Sequence, residues 1–189
     1  MDNKKEFRRN AIANRESIPE IERAYFNERI CRRFFSLDRI RKASCVLVYI
    51  SYGSEVDTYT IITELLERNI KVCVPKVLAG SSCDMDFYRI NSLQDLEQGY
   101  KGIPEPTIDC ELYVPIGDEI IIVPGTAFDR RLFRMGYGKG FYDNYLEKYS
   151  LLYSIGLCYD IQLYDQIPVD DWDHGLNIVI TEKEVIEYD

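Results

Sequence analysis

The chain has 189 residues, 46% of them apolar and 29% charged, and a formal net charge of −9. This length and balance predict one globular domain over residues 1–189 and exclude a disordered chain. The net acidity argues against a nucleic-acid partner, because proteins bind phosphate backbones through clustered Lys and Arg. No apolar run approaches the ~20 residues that span a bilayer and the N-terminus is charged, so we expect a cytoplasmic protein without a membrane partner.

The first 42 residues are predicted to form a pair of helices that packs on an α/β core. Phe7, Ala11 and Ile12 mark the apolar side of the first helix. The second helix is expected to begin at a capping box, Ser17-Ile18-Pro19-Glu20. Its expected apolar stripe consists of Ile21, Ala24, Tyr25, Ile30 and Phe34.

After the helices, the apolar residues form short continuous runs, which are typical of strands buried on both faces of a parallel sheet. Such runs occupy residues 44–50, 70–77 and 119–123, and further strands are expected at 151–159 and 176–181. These strands predict the α/β class, as a single three-layer α/β/α domain with a mostly parallel sheet.

The segments between these strands give the remaining expected elements. Residues 58–69 have the apolar spacing of a helix, which completes a βαβ unit with the strands on either side. A second helix is expected at residues 140–149. Residues 84–90 alternate as a half-exposed strand does, and residues 91–118 are rich in Gly and Pro, so we expect a long surface loop there.

The cysteine pattern favours neither a disulfide nor a metal centre. The six cysteines contain no C-x-x-C pair, and the chain has a single histidine. Cys45 and Cys73 lie inside predicted strands, where a thiol packs as a small apolar group.

The strongest chemical signal is the segment 124–143, where a predicted strand leads into alternate glycines and then a helix. Glycines let backbone N–H groups approach an anion closely, and the flanking cations Arg134 and Lys139 favour phosphate. The spacing matches neither a P-loop nor a dinucleotide-binding fingerprint. We call residues 136–140 the glycine ribbon and predict that it binds phosphate; the alternative is a structural turn in which the glycines only relieve steric crowding.

This segment resembles the signature of the 5-formyltetrahydrofolate cyclo-ligase family, approximately PG-x-AFD, a short gap, and R-[LM]-G-x-G-x-G-[YF]-YD. The present chain reads Pro-Gly-Thr-Ala-Phe-Asp and then Arg-Met-Gly-Tyr-Gly-Lys-Gly-Phe-Tyr-Asp. At Leu132 many members carry Gly, so we expect a reshaped turn there with the chemistry retained. The resemblance continues through Lys4-x-x-x-Arg8, residues 49–58, residues 102–106 and residues 162–182.

The resemblance implies closure of 5-formyltetrahydrofolate to 5,10-methenyltetrahydrofolate, with cleavage of ATP to ADP and phosphate and with Mg²⁺ as cofactor. It also implies a fold similar to sugar-phosphate isomerases and CoA-transferase-like proteins. We expect a monomer whose partners are small molecules. Two alternatives are a paralogue acting on another one-carbon folate or a small amide, and a nucleotide- or folate-binding module without turnover.

The resemblance assigns ATP binding to two parts of the chain. Lys4 and Arg8 are i, i+4 on the first helix and leave one face together, although without the family a solvated basic face is favoured. The other ATP-binding candidates are Arg134, Gly136, Tyr137, Gly138, Lys139, Gly140, Phe141 and Tyr142. Of these, Lys139, Arg134 and Tyr142 are the candidate catalytic residues.

Asp143 and Asp173 match positions associated with Mg²⁺. Two carboxylates, retained waters and phosphate oxygens would meet the octahedral geometry of that ion. For Asp173 the alternative is a solvated turn, because it ends the acidic run 170–173.

Tyr52 and Asp57 match folate-contacting positions after the first strand, where open α/β sheets usually bind ligands. A carboxylate accepts hydrogen bonds from the N–H groups of a reduced pterin, and an aromatic ring stacks on it. The alternatives are a tyrosine at the edge of the core and an aspartate that caps a helix. The ribbon is also expected to face folate through Tyr137, Gly138, Lys139, Gly140 and Phe141.

Overall fold

The computed structural model describes residues 2–78, 80–81, 83–170 and 172–188. Within these ranges the helices are α1 (Asp2–Glu16), α2 (Glu20–Ser36), α3 (Asp38–Arg41), α4 (Tyr59–Glu67) and α5 (Phe141–Lys148). The strands are β1 (Cys45–Leu47), β2 (Lys71–Val77), β3 (Met85–Ile90), β4 (Leu96–Gln98), β5 (Pro104–Pro106), β6 (Glu111–Tyr113), β7 (Ile120–Val123), β8 (Ala127–Asp129), β9 (Arg134–Met135), β10 (Tyr153–Leu157), β11 (Leu163–Tyr164), β12 (Ile178–Ile180) and β13 (Val185–Glu187).

The main sheet has eight strands in the order β13-β12-β10-β7-β1-β2-β3-β6. Its five central strands, β12, β10, β7, β1 and β2, are parallel, and the three outer strands pair antiparallel. β8, β9 and β11 form a separate small sheet, and β4 pairs with β5. The predicted α/β fold with a mostly parallel sheet is therefore confirmed.

Apolar side chains alternate between two cores, one on each face of the main sheet, because successive residues of a strand point to opposite faces. In β7, Ile120 and Ile122 pack in the core that α2 and α4 cover. Ile121 and Val123 pack in the core that contains Tyr145 of α5 and Phe128 of the small sheet. The sheet is thus the middle layer, with α2 and α4 on one face and α5 with the small sheet on the other.

α1 packs on the small sheet rather than on the main one. Ala11 lies in an apolar cluster with Ala127, Met135 and Ile167, and the ring of Phe7 packs against the same cluster. Because β8 follows β7 within a few residues, this packing places α1 beside the carboxyl ends of the parallel strands.

The start and the apolar face of α2 differ from the prediction. Ser17 donates its hydroxyl proton to Asn14 O at 2.6 Å, so it belongs to the end of α1 and caps nothing in α2. Ile21 is 81% exposed, and Ala24 and Tyr25 lie at least partly in solvent. The predicted capping box and the first half of the predicted stripe are wrong, because α2 reaches the core only over its second half. Its buried residues are Ile30, Cys31, Phe34 and Phe35.

One further expectation about the connections is wrong. The region 91–118, expected to be a loop, contains the short strands β4, β5 and β6, which pair with each other or with β3. Leu132 has a φ of 66°, a left-handed backbone that favours Gly, and the expectation of a reshaped turn stays a prediction. The side chain of Leu132 is only 2% exposed, and this burial in the core offsets the strain of that backbone.

Cys31, Cys45, Cys73, Cys110 and Cys158 are free thiols. Cys45 and Cys73 are fully buried on β1 and β2, with their sulfur atoms 3.6 Å apart. Among the residues that the structure describes, no helix combines the length and apolar character needed to cross a membrane.

Gly156 of β10 shows how tightly the core between the main sheet and the small sheet is packed. A Cβ atom at this position would lie 2.6 Å from the ring of Phe128 and 2.8 Å from Leu176 Cδ1. We expect Gly156→Ala to lower the free energy of unfolding by about 1–3 kcal/mol, measured by urea denaturation, because these side chains must leave their positions. Gly175→Ala is the control, since a Cβ atom there would have no atom within 4 Å. Equal stability of the two variants would contradict the packing described.

Candidate active site at the carboxyl edge of the sheet

A cavity of about 1120 Å³ lies at the carboxyl ends of the parallel strands. It is lined by Tyr49 and Ile50 after β1, by Val77 at the end of β2 and by Pro124 after β7. α1 and the glycine ribbon form two further walls. Single ligands usually occupy cavities of about 300–1,000 Å³, so this one has room for two small molecules side by side.

α1 presents one face to the cavity through Lys4, Arg8, Ile12 and Arg15. Their spacing of four, four and three residues keeps all of them on the same side of the helix. At 1.5 Å per residue, Lys4 and Arg15 are separated by about 16 Å along the axis. The helix therefore spans the cavity with one basic residue near each end and another between them.

The Lys4 end of the wall is held by carboxylates. Lys4 Nζ donates to Asp170 Oδ2 at 2.6 Å and to Asp173 Oδ2 at 2.7 Å. Partial burial lowers the pKa of Lys4, but the hydrogen bonds and charges of the two aspartates outweigh that effect, so its pKa lies above the usual value. Lys4 is therefore a cation fixed in the cavity wall.

In the middle of the wall, α1 contacts the glycine ribbon. Arg8 Nε donates to Gly136 O at 2.8 Å. Gly138 has a φ of 91°, and a Cβ there would lie 3.4 Å from the Arg8 guanidinium, so both backbone conformation and space favour glycine. No hydrogen bond or ion pair joins Lys139 to any other residue within the described part of the chain. Its exposed ammonium group is therefore available to an anion in the cavity.

At the other end, Arg15 joins a cluster of polar groups from three segments. Arg15 Nε donates to Ser54 Oγ at 2.9 Å, and Arg15 Nη1 donates to the hydroxyl oxygen of Tyr137 at 2.9 Å. The Tyr137 hydroxyl in turn donates to Glu55 Oε1, and the Tyr52 N–H donates to Glu55 Oε2 at 2.9 Å. Burial and the Glu55 charge raise the pKa of Tyr137, so the phenol keeps its proton.

A partly buried ion pair joins the residues on either side of the ribbon. Arg134 Nη2 donates to Asp143 Oδ1 at 2.8 Å, and the Arg134 side chain is only 2% exposed. Burial lowers the pKa of Arg134, and the charges of Asp143, Tyr142 and Asp173 act in the opposite direction. Within the described ranges, Arg134 Nε and the Tyr142 hydroxyl oxygen are buried without a hydrogen-bond partner. Buried polar atoms normally have hydrogen-bond partners, so these two atoms are suited to bind a polar ligand.

The sequence-predicted residues other than Asp57 line one cavity. They are Lys4, Arg8, Tyr52, Arg134, Gly136, Tyr137, Gly138, Lys139, Gly140, Phe141, Tyr142, Asp143 and Asp173. The structure thus places the basic face of α1, the ribbon and the candidate metal ligands together, as the predicted phosphate site requires.

Asp57 lies elsewhere. Asp57 Oδ1 accepts a hydrogen bond from the Tyr59 N–H at 3.0 Å at the start of α4, and its side chain lines a separate groove between α2 and α4. This position corresponds to the helix-capping alternative for Asp57. The carboxylate that the same loop turns into the main cavity belongs to Glu55, two residues earlier.

Sequence reasoning also missed Arg15, although its position contains a signal. It lies eleven residues after Lys4, which is close to three helical turns, and therefore on the same face as Lys4 and Arg8. The sequence contains no comparable signal for Glu55. Glu55 and Asp57 lie two residues apart in one loop, and their spacing does not show which of them faces the cavity.

The carboxylates at the cavity do not form a metal cage by themselves. Among the described residues, no group of three His, Cys, Asp or Glu side chains is placed to hold a metal ion. Asp143 is paired with Arg134, and Asp173 with Lys4. These residues fit the mode in which Mg²⁺ takes one or two protein carboxylates and obtains its other oxygens from phosphates and water.

Comparison with known proteins gives a consistent result. A sequence model described as the 5-formyltetrahydrofolate cyclo-ligase family matches residues 1–182. The chain is 29% identical to the 5-formyltetrahydrofolate cyclo-ligase of Escherichia coli (strain K12), over 82% of this chain and 87% of that protein. It is 31% identical to the enzyme of that name from Mycolicibacterium smegmatis, over 97% and 95% of the two chains.

Solved structures agree with the sequence comparisons. The NMR structure of Aquifex aeolicus 5,10-methenyltetrahydrofolate synthetase matches with a TM-score of 0.86 at 31% identity, over 97% of this chain and 92% of that one. A 5,10-methenyltetrahydrofolate synthetase from Mycoplasma pneumoniae matches with a TM-score of 0.77 at 20% identity, over 95% and 99%, which supports the fold.

Proposed function

The chain belongs to the 5-formyltetrahydrofolate cyclo-ligase family, and we propose that the cavity beside α1 is where it converts 5-formyltetrahydrofolate and ATP to 5,10-methenyltetrahydrofolate, ADP and phosphate. The observation that carries this proposal is the contact between Arg8 and Gly136, which places the cationic face of α1 and the glycine ribbon around one cavity. That cavity has the volume for both substrates and the cations for a triphosphate.

The reaction requires a poor leaving group to depart. N10 of the folate must attack the formyl carbon while the formyl oxygen leaves, and that oxygen is amide-like. Transfer of the γ-phosphoryl group from ATP to the formyl oxygen converts it into a phosphate ester. N10 then attacks, the carbon–oxygen bond breaks, phosphate leaves with the bonding electrons, and N10 loses its proton. Such a reaction asks the protein chiefly to align the reactants and to compensate phosphate charge.

We place the two substrates in order along α1. The pterin lies at the Arg15 end, where Glu55 offers a carboxylate to its N–H donors and Tyr52 offers an aromatic ring. The γ-phosphoryl group lies in the middle, beside Arg8 and the ribbon, because it must reach the formyl oxygen. The rest of the nucleotide extends toward Lys4.

The candidate catalytic residues take different roles in this arrangement. Lys139 contacts the transferred phosphoryl group, because its ammonium group is exposed in the cavity wall between two glycines. Arg134 is a positioning residue, since its buried guanidinium holds Asp143 rather than facing solvent. Tyr142 is a neutral hydrogen-bond donor, because burial raises the pKa of its hydroxyl.

Mg²⁺ fits the nucleotide end of the cavity. Asp143 and Asp173 would hold the ion, and the ion would neutralise phosphate charge. Without ligands, Asp143 forms an ion pair with Arg134, and Asp173 forms one with Lys4. The same two carboxylates therefore neutralise these cations before the ion and the nucleotide bind.

The proposed reaction involves only small molecules. The expectations of a monomer, of a cytoplasmic location and of no nucleic-acid or membrane partner stay predictions from the sequence. The acidic net charge of −9 supports the expectation about nucleic acid.

Turnover tests the proposal directly. Purified protein with Mg²⁺-ATP and 5-formyltetrahydrofolate should produce the near-ultraviolet absorbance of the methenyl product and one phosphate per product. Lys139→Ala should lower kcat by about 10²–10³-fold, since a key electrostatic contact to a reacting group contributes about 3 kcal/mol. Lys148→Ala, on α5 and outside the cavity, is the control. No product over a wide range of substrate concentrations would reject the function, and full activity of Lys139→Ala would reject the role of Lys139.

A second prediction separates the two acids of the loop after β1. Glu55→Gln keeps an acceptor for the Tyr137 hydroxyl but loses the charge, so we expect KM for 5-formyltetrahydrofolate to rise about tenfold with KM for ATP unchanged. Asp57→Asn should leave both constants unchanged and at most reduce stability by about 1 kcal/mol at the start of α4. Steady-state kinetics of the two variants give the comparison. A folate effect at Asp57 and none at Glu55 would reverse the assignment.

A third prediction concerns the metal. Asp173→Asn should raise the Mg²⁺ concentration for half-maximal ATP turnover about tenfold, because the ion loses a charged oxygen ligand. Asp170→Asn is a matched control, since Asp170 is the other acid that binds Lys4. If both variants shift the Mg²⁺ dependence equally, Asp173 acts only through Lys4 and is not a metal ligand.

A further inference from the structure

The only tryptophan of the sequence, Trp172, lines the candidate active-site cavity and is 72% exposed. Large aromatic side chains contribute most to stability when they are buried, and this one contributes little contact area to the core. An exposed indole in the wall of a cavity offers a flat apolar surface to a ligand. No step of the reaction described above uses it.

The structure fixes the position of Trp172 through the residues around it. Asp173 N donates to Asp170 O at 3.0 Å, and Asp170 N donates to Asp173 Oδ2 at 2.7 Å, so the two acids close a turn that carries the indole. Lys4 binds both carboxylates. The turn is therefore held at the Lys4 end of α1, about 16 Å along the helix from Arg15 and its polar cluster.

The order of the reacting groups along α1 determines which part of ATP lies at the Lys4 end of the helix. The γ-phosphoryl group must lie next to the formyl oxygen, so the triphosphate of bound ATP points toward the pterin. Its base is then the part of ATP farthest from the Arg15 cluster. The turn that carries Trp172 lies at that same far end, because Lys4 holds both of its acids.

We propose that the indole of Trp172 stacks on the purine base of the nucleotide and forms the base-binding face of the site. This inference rests on the proposed function, because it uses the order of the two substrates along α1. Stacking depends on the π-face and not on hydrogen bonds to base edges, so Trp172 provides affinity for a purine ring with little discrimination among purines.

The test compares a ligand that has a base with one that lacks it. ATP and inorganic tripolyphosphate share the phosphate chain, and only ATP can stack. Trp172→Ala should weaken binding of ATP about 5- to 150-fold, the range that loss of one aromatic–base stack produces, and leave tripolyphosphate binding unchanged. Trp172→Phe should restore most of the loss, since it keeps an aromatic face. Tyr188→Ala, which removes a 65% exposed ring outside the cavity, is the control for loss of a surface aromatic.

Intrinsic fluorescence supplies a readout that does not depend on turnover. Because Trp172 is the sole tryptophan, its emission reports on this position alone. Titration of the wild-type protein with ATP should change the emission in a saturable way, with a midpoint equal to the ATP binding constant from calorimetry. Steady-state kinetics should show a raised KM for ATP in Trp172→Ala, with KM for 5-formyltetrahydrofolate and kcat close to wild type.

Several results would overturn the inference. Equal loss of ATP and tripolyphosphate binding in Trp172→Ala would mean that the turn serves the phosphates. A raised KM for the folate instead of ATP would mean that the indole stacks on the pterin. Wild-type ATP affinity in Trp172→Ala would mean that it stacks on nothing. In each case a wild-type enzyme that still forms the methenyl product leaves the proposed function intact, whereas an absence of turnover and of ATP binding in the wild type rejects the function itself.

Discussion

The packing of α1 against the glycine ribbon is the contact on which the rest of the site depends. Arg8 Nε donates to Gly136 O, and the apolar cluster around Ala11 and Met135 holds the helix on the small sheet that carries the ribbon. The basic residues of α1 reach the cavity only through this docking. Because a helix is rigid over this length, one contact positions both Lys4, which we propose faces the nucleotide, and Arg15, which we propose faces the pterin.

Charge is distributed within the site in a way that the composition conceals. The protein is acidic overall, yet the cavity collects cations from α1 and from the segment around the ribbon. Carboxylates hold these cations in place, as Asp143 does for Arg134 and Asp173 for Lys4. Removing a charge from water is costly unless it is paired, so the acids allow the cations to stay ordered before substrate binds. An ordered set of charges needs little rearrangement when phosphate charge develops in the reaction.

Strands that contain a continuous apolar run could be predicted from the sequence. Short strands without such a run could not. The strands β1, β2, β7, β10 and β12 lie within the predicted segments, because burial on both faces of a sheet requires uninterrupted apolar residues. The short strands β4, β5 and β6, and the small sheet of β8, β9 and β11, have no such local pattern. Each forms by pairing with another short strand or with the edge of the main sheet, and the Gly and Pro content of residues 91–118 obscures that pairing.

The sequence by itself determined the residue types of the site, since glycines at alternate positions, flanking cations and a strand-to-helix transition are local properties of the segment 124–143. The tertiary structure decided which distant residues join that segment. It brought Glu55 into the cavity and left Asp57 at the start of α4, and it placed the acids beside Trp172 on Lys4, at the end of α1 opposite Arg15. Two acids separated by one residue are equivalent in composition and charge, and only the path of the backbone, set by the packing of the helices and the sheet, determines which of them faces the cavity.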